Sequence, residues 1–386
     1  MKKNAPKPIP FHRASLGKAE LAEAAEAIRS GWITMGPKTV EFEAKFREYL
    51  ARRAGIAPET LHAVTANSAT AALHLALKAI GLKAGDEVII PTTTFIATAE
   101  VVTYFGAKPV LCDVEDDTHN IDASKIEALI TRRTKALIPV HFAGQPCDMG
   151  AIMRIARKRG LKVIEDAAHS LPSDFEGRPV GTIGDVTCFS FYATKTLAMG
   201  EGGMLVTSDE RIAKHAKINR LHGISRDAWD RYTLKGSWVY EVVDNGYKYN
   251  TTDIAAGLGL AQLRRLDSMN AARLRIAAAY DRAFAGSAVA TPVVRKGRTT
   301  CAHLYVIKVS NRDELYAKLR EEGIGTSVHF IPVHKHPWYK KEFGYRDADY
   351  PVANRIFARS LSLPIFPDMT GAEVRRVAER VLAHAR

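Results

Sequence analysis

Between residues 87 and 207, short apolar segments alternate with stretches of helical periodicity, and this alternation constrains the fold most. The segments are EVIIP (87–91), PVLCDV (109–114), ALIPV (136–140), KVIE (162–165), VTCFSF (186–191) and MLVT (204–207). Each is short, β-branched and apolar on both faces. Strands of that kind suit a parallel sheet covered by helices on both sides. The alternation predicts the α/β class.

The flanking regions read as helices. GKAELAEAAEAIRS (17–30) places Leu21, Ala24, Ala25 and Ile28 on one face, with Gly31 as the stop. Residues 38–53 put Phe42, Phe46, Tyr49 and Leu50 on one stripe. The character changes after about residue 245. HLYVIKV (303–309) alternates like a half-exposed strand, DELYAKLREEG (313–323) is amphipathic and stops at Gly323, and TSVHF (326–330) reads as another strand. Thr370 and Glu373 form a capping box before a last helix with Val374, Val377, Ala378, Val381 and Leu382 on its apolar face. The expected division is an N-terminal arm and large domain over 1–245, then a smaller α+β domain over 246–386.

Composition narrows the function classes. A chain of 386 residues suits about two domains. Its 55 Lys+Arg against 42 Asp+Glu give a net charge of +13. The basic residues are spread through stretches such as ITRRTKA and MRIARKRG, which read as solvated helix faces. No base-reading module appears, so no nucleic-acid partner is expected, whereas an anionic small substrate accounts for part of the charge. No run approaches the ~20 apolar residues of a membrane span. The basic start lacks the apolar core of a signal peptide, so a cytoplasmic enzyme is expected. Cys112, Cys147, Cys188 and Cys301 form no CxxC pair, which argues against a zinc ribbon or a disulfide framework. No metal site is expected.

Four segments carry chemistry. In TANSATAALHLALKAIG (65–81), Asn67 or Ser68 can cap a helix whose first N–H groups could cradle a phosphate; most capped helices hold no ligand. In LKVIEDAAHS (161–170), an apolar strand ends in Glu165 and Asp166, with His169 beyond. A carboxylate there lies where α/β proteins bind ligands, or it caps a helix. In VTCFSFYATKTLAMGEGGMLVT (186–207), Lys195 lies between a buried strand and a glycine-rich loop. A partly desolvated amine in that setting gains nucleophilic character. In NGYKYNTTDIAAGLGLAQL (245–263), a polar and aromatic run leads into a small-residue helix, packed internally or at a subunit contact. Jointly the set meets the needs of pyridoxal phosphate: an amine for its aldehyde, an acid for its pyridine nitrogen and a helix N-terminus for its phosphate.

From about residue 10 to the C-terminus the chain resembles the DegT/DnrJ/EryC1/StrS family of pyridoxal-phosphate-dependent nucleotide-sugar aminotransferases. The landmarks are SGWITMGPKT (30–39), NSATAALHLAL (67–77), GDEVIIPTTTFIAT (85–98), GAKPVLCDV (106–114), ALIPVHFAGQPCDM (136–149), VIEDAAHS (163–170), FSFYATKTLAMGEGGM (189–204), GYKYNTTDIAAGLGLAQL (246–263) and GIGTSVHF (323–330). GYKYN and the closing SLPIFPDMT (362–370) are similar to the subgroup acting on the UDP-4-amino-4-deoxy-L-arabinose nucleotide.

The resemblance implies fold type I, with a mostly parallel sheet in the large domain and a homodimer sharing its active sites. Lys195 falls on the Schiff-base lysine and proton-moving base. Asp166 falls on the pyridine partner and His169 on the partner of the cofactor's 3-hydroxyl. Phe95 falls on the stacking ring, and Ala69, Thr70 and Ser190 on phosphate contacts. Lys248 and Asn250 fall in a segment that reaches the partner's cofactor phosphate. Trp32, Thr34 and His329 fall on segments lining the sugar-nucleotide pocket, and Tyr192 stands where C4-aminotransferases usually carry His. Tyr there is common among C3-aminotransferases, whereas GEGGM (200–204) and GYKYN resemble the C4 group. The implied reaction moves an amino group from L-glutamate to the C4 keto group of a nucleotide-linked sugar, for surface polysaccharide, lipopolysaccharide or antibiotic sugars. Amination at C3 is the alternative.

Overall fold

The structure, a computed structural model, describes residues 7–225 and 239–386. The first six residues of the expected arm lie outside the described residues. All six expected strands are present: β2 (Glu87–Pro91), β3 (Lys108–Cys112), β4 (Thr134–Leu137), β5 (Lys162–Asp166), β8 (Val186–Ser190) and β9 (Gly203–Thr207). A seventh, β1 (His62–Ala66), was not anticipated. β6 (Asp174–Phe175) and β7 (Arg178–Pro179) form a separate two-stranded pair.

The large sheet has the order β1-β9-β8-β5-β4-β2-β3. Strands β8, β5, β4, β2 and β3 pair in parallel. β9 runs antiparallel to both β8 and β1, because residues 191–202 return the chain directly beside β8. Helices α1 (Lys18–Ser30), α2 (Pro37–Ala54), α3 (Ala69–Ala79), α4 (Ala97–Thr103), α5 (Ala123–Leu129), α6 (Met149–Arg159) and α7 (Glu210–Asn219) belong to this half. Leu73 and Leu77 of α3 share a core with Val88, Ile164, Val186 and Leu205 of the sheet. On α2, Phe42 and Phe46 pack against Phe189 and Phe191. Each fully buried ring contributes about 2 kcal/mol.

The long helix α8 (Asp253–Phe284) joins two cores. Ala256, Leu260 and Leu266 pack with the phenylalanines of α2. Ile276, Tyr280 and Phe284 pack with β10 (Tyr305–Lys308), β11 (Ser360–Leu363) and the C-terminal helix Gly371–His384. Two hydrophobic cores thus meet within α8. Segment 333–356 returns to the first core through Val333, Tyr339 and Ile356. The small residues of α8 serve internal packing: a Cβ on Gly257 would lie 3.1 Å from Glu23 O, and one on Gly259 2.9 Å from the Phe42 ring.

Two local expectations are corrected. Leu21 and Ile28 are exposed, whereas Glu20 and Ala27 are buried. The Glu20 carboxylate accepts from Gln262 Nε2 (2.8 Å), Arg265 Nη1 (2.7 Å) and Gly17 N–H (2.7 Å), so α1 docks on α8 through a polar seam. TSVHF makes a single bridge, Ser327 to Ser362, and is not a strand. The capping box at Thr370 and Glu373 is present.

Asp253 locks the front of the molecule. α2 begins at Gly36 without a side-chain cap of its own. The buried Asp253 carboxylate supplies it, accepting from Gly36 N–H (2.8 Å), Lys38 N–H (3.0 Å), Thr39 N–H (3.0 Å) and Thr39 Oγ1 (2.6 Å). Asp253→Ala strands these buried donors. The expected loss is about 3 kcal/mol, read as a lower urea midpoint at unchanged slope.

Candidate active site

Three backbone features converge at the carboxyl ends of the parallel strands. Ser68 caps α3, its Oγ accepting from Ala71 N–H at 3.1 Å, so the N–H groups at the start of α3 are exposed to one side. β5 ends in Asp166. Strand alternation sends Glu165 to the opposite face, where it accepts from His141 Nε2 (2.9 Å), Thr187 Oγ1 (2.7 Å) and Gly184 N–H (2.8 Å). The loop after β8 carries Lys195, and its base is closed by Phe191 N–H to Gly202 O and Met199 N–H to Phe191 O, both 2.8 Å. Gly203 brings that base against α3. A Cβ there would sit 2.2 Å from Ser68 O, so only glycine permits the approach.

These features enclose a cavity of about 420 Å³. Of the residues singled out in the sequence, Ala69, Thr70, Phe95, Asp166, His169, Ser190, Tyr192, Lys195 and His329 line it. Phe95, 58% exposed, offers its ring to this space. Trp32, Thr34, Lys248 and Asn250 do not line it. Trp32 and Thr34 lie on the turn held to α8 by Asp253 N–H donating to Thr34 O (2.8 Å). Lys248 is exposed, and its neighbour Tyr249 accepts through its carbonyl from Asn67 N–H at 2.7 Å, just outside the α3 cap. The cavity also gathers residues that sequence reasoning did not select, among them Phe11, His12, Glu201, His303 and Phe330. The first two come from the N-terminal arm, which is remote in sequence from the other segments.

Burial governs the electrostatics. It raises the Asp166 carboxyl above the usual range, opposed by donation from Thr98 Oγ1 (2.7 Å) and Ala168 N–H (3.1 Å) and by Lys195. It lowers the Lys195 amine to about 8, with Asp166 opposing. His169 lies well below its ordinary value through burial, then Lys195 and His329. Ala143 N–H donates to His169 Nδ1 at 3.4 Å, so the neutral ring carries its proton on Nε2. His303, 4.5 Å from His169 between ring centroids, is also held neutral by burial.

Above pH 8 the Lys195 amine is mostly neutral and nucleophilic. The rate at which cofactor-free protein takes up pyridoxal phosphate covalently is therefore expected to rise with pH up to about 8 and then level off, a profile read at about 420 nm. The unfolded lysine titrates near its ordinary 10.5. The unfolded chain thus binds more protons between about 8 and 10.5, and this group's contribution to stability rises with pH across that window.

The donor set fits pyridoxal phosphate. A buried carboxylate can hold a protonated pyridine nitrogen, the capped start of α3 with Ser190 can receive a phosphate, and His169 Nε2–H can donate to a phenolic oxygen. A mostly parallel α/β sheet with an aspartate at one strand end and a desolvated lysine on the adjoining loop is the arrangement of a pyridoxal-phosphate enzyme of fold type I. The DegT/DnrJ/EryC1/StrS aminotransferase family profile matches residues 14–382, and the chain belongs to that family. It is 48% identical over 381 residues to the spore coat polysaccharide biosynthesis protein SpsC of Bacillus subtilis, covering 97% of this chain and 96% of SpsC. Among solved structures it is similar to Spr1654 of Streptococcus pneumoniae, described as a sugar aminotransferase and solved in forms that include one with pyridoxamine phosphate. That match has 34% identity and a TM-score of 0.89, covering 97% of this chain and 98% of Spr1654. It is also similar to DesV of Streptomyces venezuelae, solved with a ketimine intermediate, at 32% identity and a TM-score of 0.88, covering 98% of each chain. The chain is a sugar aminotransferase.

Proposed function

We propose that the chain moves an amino group from L-glutamate to the C4 keto carbon of a nucleotide-linked sugar destined for a surface polysaccharide. The observation that carries this is the convergence of Lys195, Asp166 and the capped start of α3 on one cavity. The destination is supported by the likeness to SpsC. The C4 position is supported by the GEGGM and GYKYN segments. Tyr192 at the cavity wall favours the second reading, amination at C3.

When bound, pyridoxal phosphate supplies a carbonyl that accepts the amino group and a ring that withdraws electrons from the donor's Cα. Asp166 holds a proton on the ring nitrogen, which keeps that withdrawal strong. The α3 N–H groups and Ser190 fix the phosphate end. Phe95, at the cavity wall, would stack on the ring, and His169 would donate from Nε2 to its phenolic oxygen. Lys195 Nζ removes the Cα proton from glutamate, and in the second half-reaction it returns a proton to the former keto carbon. The neutral amine takes the proton and the ammonium so formed returns it, and a pKa of about 8 keeps both forms accessible near physiological pH.

The reading includes a homodimer in which Lys248 and Asn250 serve the partner's site. This is supported by their position outside the cavity of their own chain and by the exposed Leu21, Ile28 and Val40 of α1 and α2. It also includes a cytoplasmic location, supported by four free, buried cysteines. No helix among the described residues is long and apolar enough to cross a membrane. NMR of the product from matched 4-keto and 3-keto sugar nucleotides tests the position of amination. An amine at C4 is expected, and an amine at C3 establishes the second reading.

A further inference from the structure

The N-terminal arm forms one wall of the cavity. Ile9 bridges Ile324 in parallel: its N–H donates to Gly323 O and its carbonyl accepts from Gly325 N–H, both at 2.8 Å. Phe11 stacks on His329 with ring centroids 5.5 Å apart, and the Arg13 guanidinium lies 5.0 Å from the centre of the Phe366 ring. His12, between them, reaches the loop of the catalytic lysine, with Nε2 2.9 Å from Ala193 O. The arm thus ties the small domain to the segment two residues before Lys195.

That contact fixes the chemistry of His12. A carbonyl only accepts, so Nε2 carries the proton and donates it. Burial, Arg273 and Lys195 hold the ring at about 4, which keeps it neutral at physiological pH. In that tautomer Nδ1 is an acceptor with no proton to give. It makes no other hydrogen bond among the described residues, and it is not a sealed, unpartnered atom. Phe11 and His12 both line the cavity.

An acceptor on this wall discriminates between the two substrates. The carboxylates of an amino acid and the phosphates of a nucleotide accept hydrogen bonds only, and the donor's one N–H-bearing group is its reacting amine. A sugar ring brings hydroxyl donors. We propose that His12 Nδ1 accepts a hydrogen bond from a hydroxyl of the acceptor sugar and thereby selects the sugar in the second half-reaction. This rests on the reading of the chain as a nucleotide-sugar aminotransferase with glutamate as donor.

The test uses the full-length protein and two variants. His12→Phe keeps an aromatic ring and loses the acceptor. His12→Gln keeps an amide N–H for Ala193 and an oxygen acceptor. The donor half is followed as loss of the band at about 420 nm with L-glutamate, and the acceptor half as its return with UDP- and dTDP-linked 4-keto-6-deoxyhexoses. Calorimetry gives the Kd of the same sugar nucleotides for the cofactor-free protein. His12→Phe is expected to raise the acceptor KM and Kd about five- to tenfold, with a smaller loss in the donor half, and His12→Gln to restore both to within about twofold. Equal losses in the two halves, or an unchanged Kd, would overturn the proposal while leaving the aminotransferase reading intact. Wild-type protein that reacts with neither glutamate nor any of these keto sugars would overturn that reading, and the proposal with it.

Discussion

Lys195→Ala is expected to lower turnover by at least about 1,000-fold, the upper range of what a positioned proton-transfer group supplies. The side chain lines the cavity beside the carboxyl end of β5, and among the described residues of the chain no second lysine lines it. The neighbouring histidines cannot replace it. Burial lowers the basicity of all three: His169 and His303 lie well below the ordinary histidine value and His12 at about 4, so each is a far weaker base than the lysine. The fold should persist, because the loop is closed by backbone bonds from Phe191 and Met199 that do not involve the amine. The check is a single-turnover experiment with glutamate alongside a thermal melt. Failure to form the band at about 330 nm on adding glutamate, with an unchanged melt, fits this account; wild-type turnover in the variant would refute it.

Asp166→Asn is expected to cost about 100- to 1,000-fold in kcat/KM, comparable to removing one preorganised electrostatic partner from a water-poor site. The carboxylate is held by Thr98 Oγ1 on one oxygen and Ala168 N–H on the other, which leaves acceptor capacity toward the cavity. Burial alone raises its pKa, and a protonated pyridine nearby stabilises the charged form and draws it back down. Asparagine keeps the shape and loses the charge. Asp166→Glu keeps the charge at a displaced position and should retain more activity than the amide. If Asp166→Asn matches wild type in kcat/KM, the carboxylate is structural only.

The strands of the parallel sheet were legible because burial on both faces demands continuous apolar, β-branched runs. β1 was not: His62 and Thr65 break the apolar run of HAVTA, which leads directly into the α3 cap, and its strand character comes from pairing with β9. TSVHF has strand-like alternation, but it meets only Ser362 and therefore forms no ladder. Periodicity misplaced the buried face of α1, because Glu20 finds Gln262 and Arg265 and can be buried as a satisfied carboxylate. In the site, Lys195, Asp166 and the α3 cap were readable because each lies at a strand or helix end with a distinctive neighbour. His12, Phe11 and His303 were not, because nothing local marks a residue that tertiary packing carries to a distant wall. Lys248, Asn250, Trp32 and Thr34 were selected through family likeness, and one chain does not bring them to its own cavity.

The most direct measurement is an absorbance titration of purified protein loaded with pyridoxal phosphate. A band at about 420 nm that converts to one at about 330 nm on adding L-glutamate is the expected result, since it reports amino-group transfer through Lys195. A loaded protein whose band does not respond to glutamate or to any other amino acid would contradict the account.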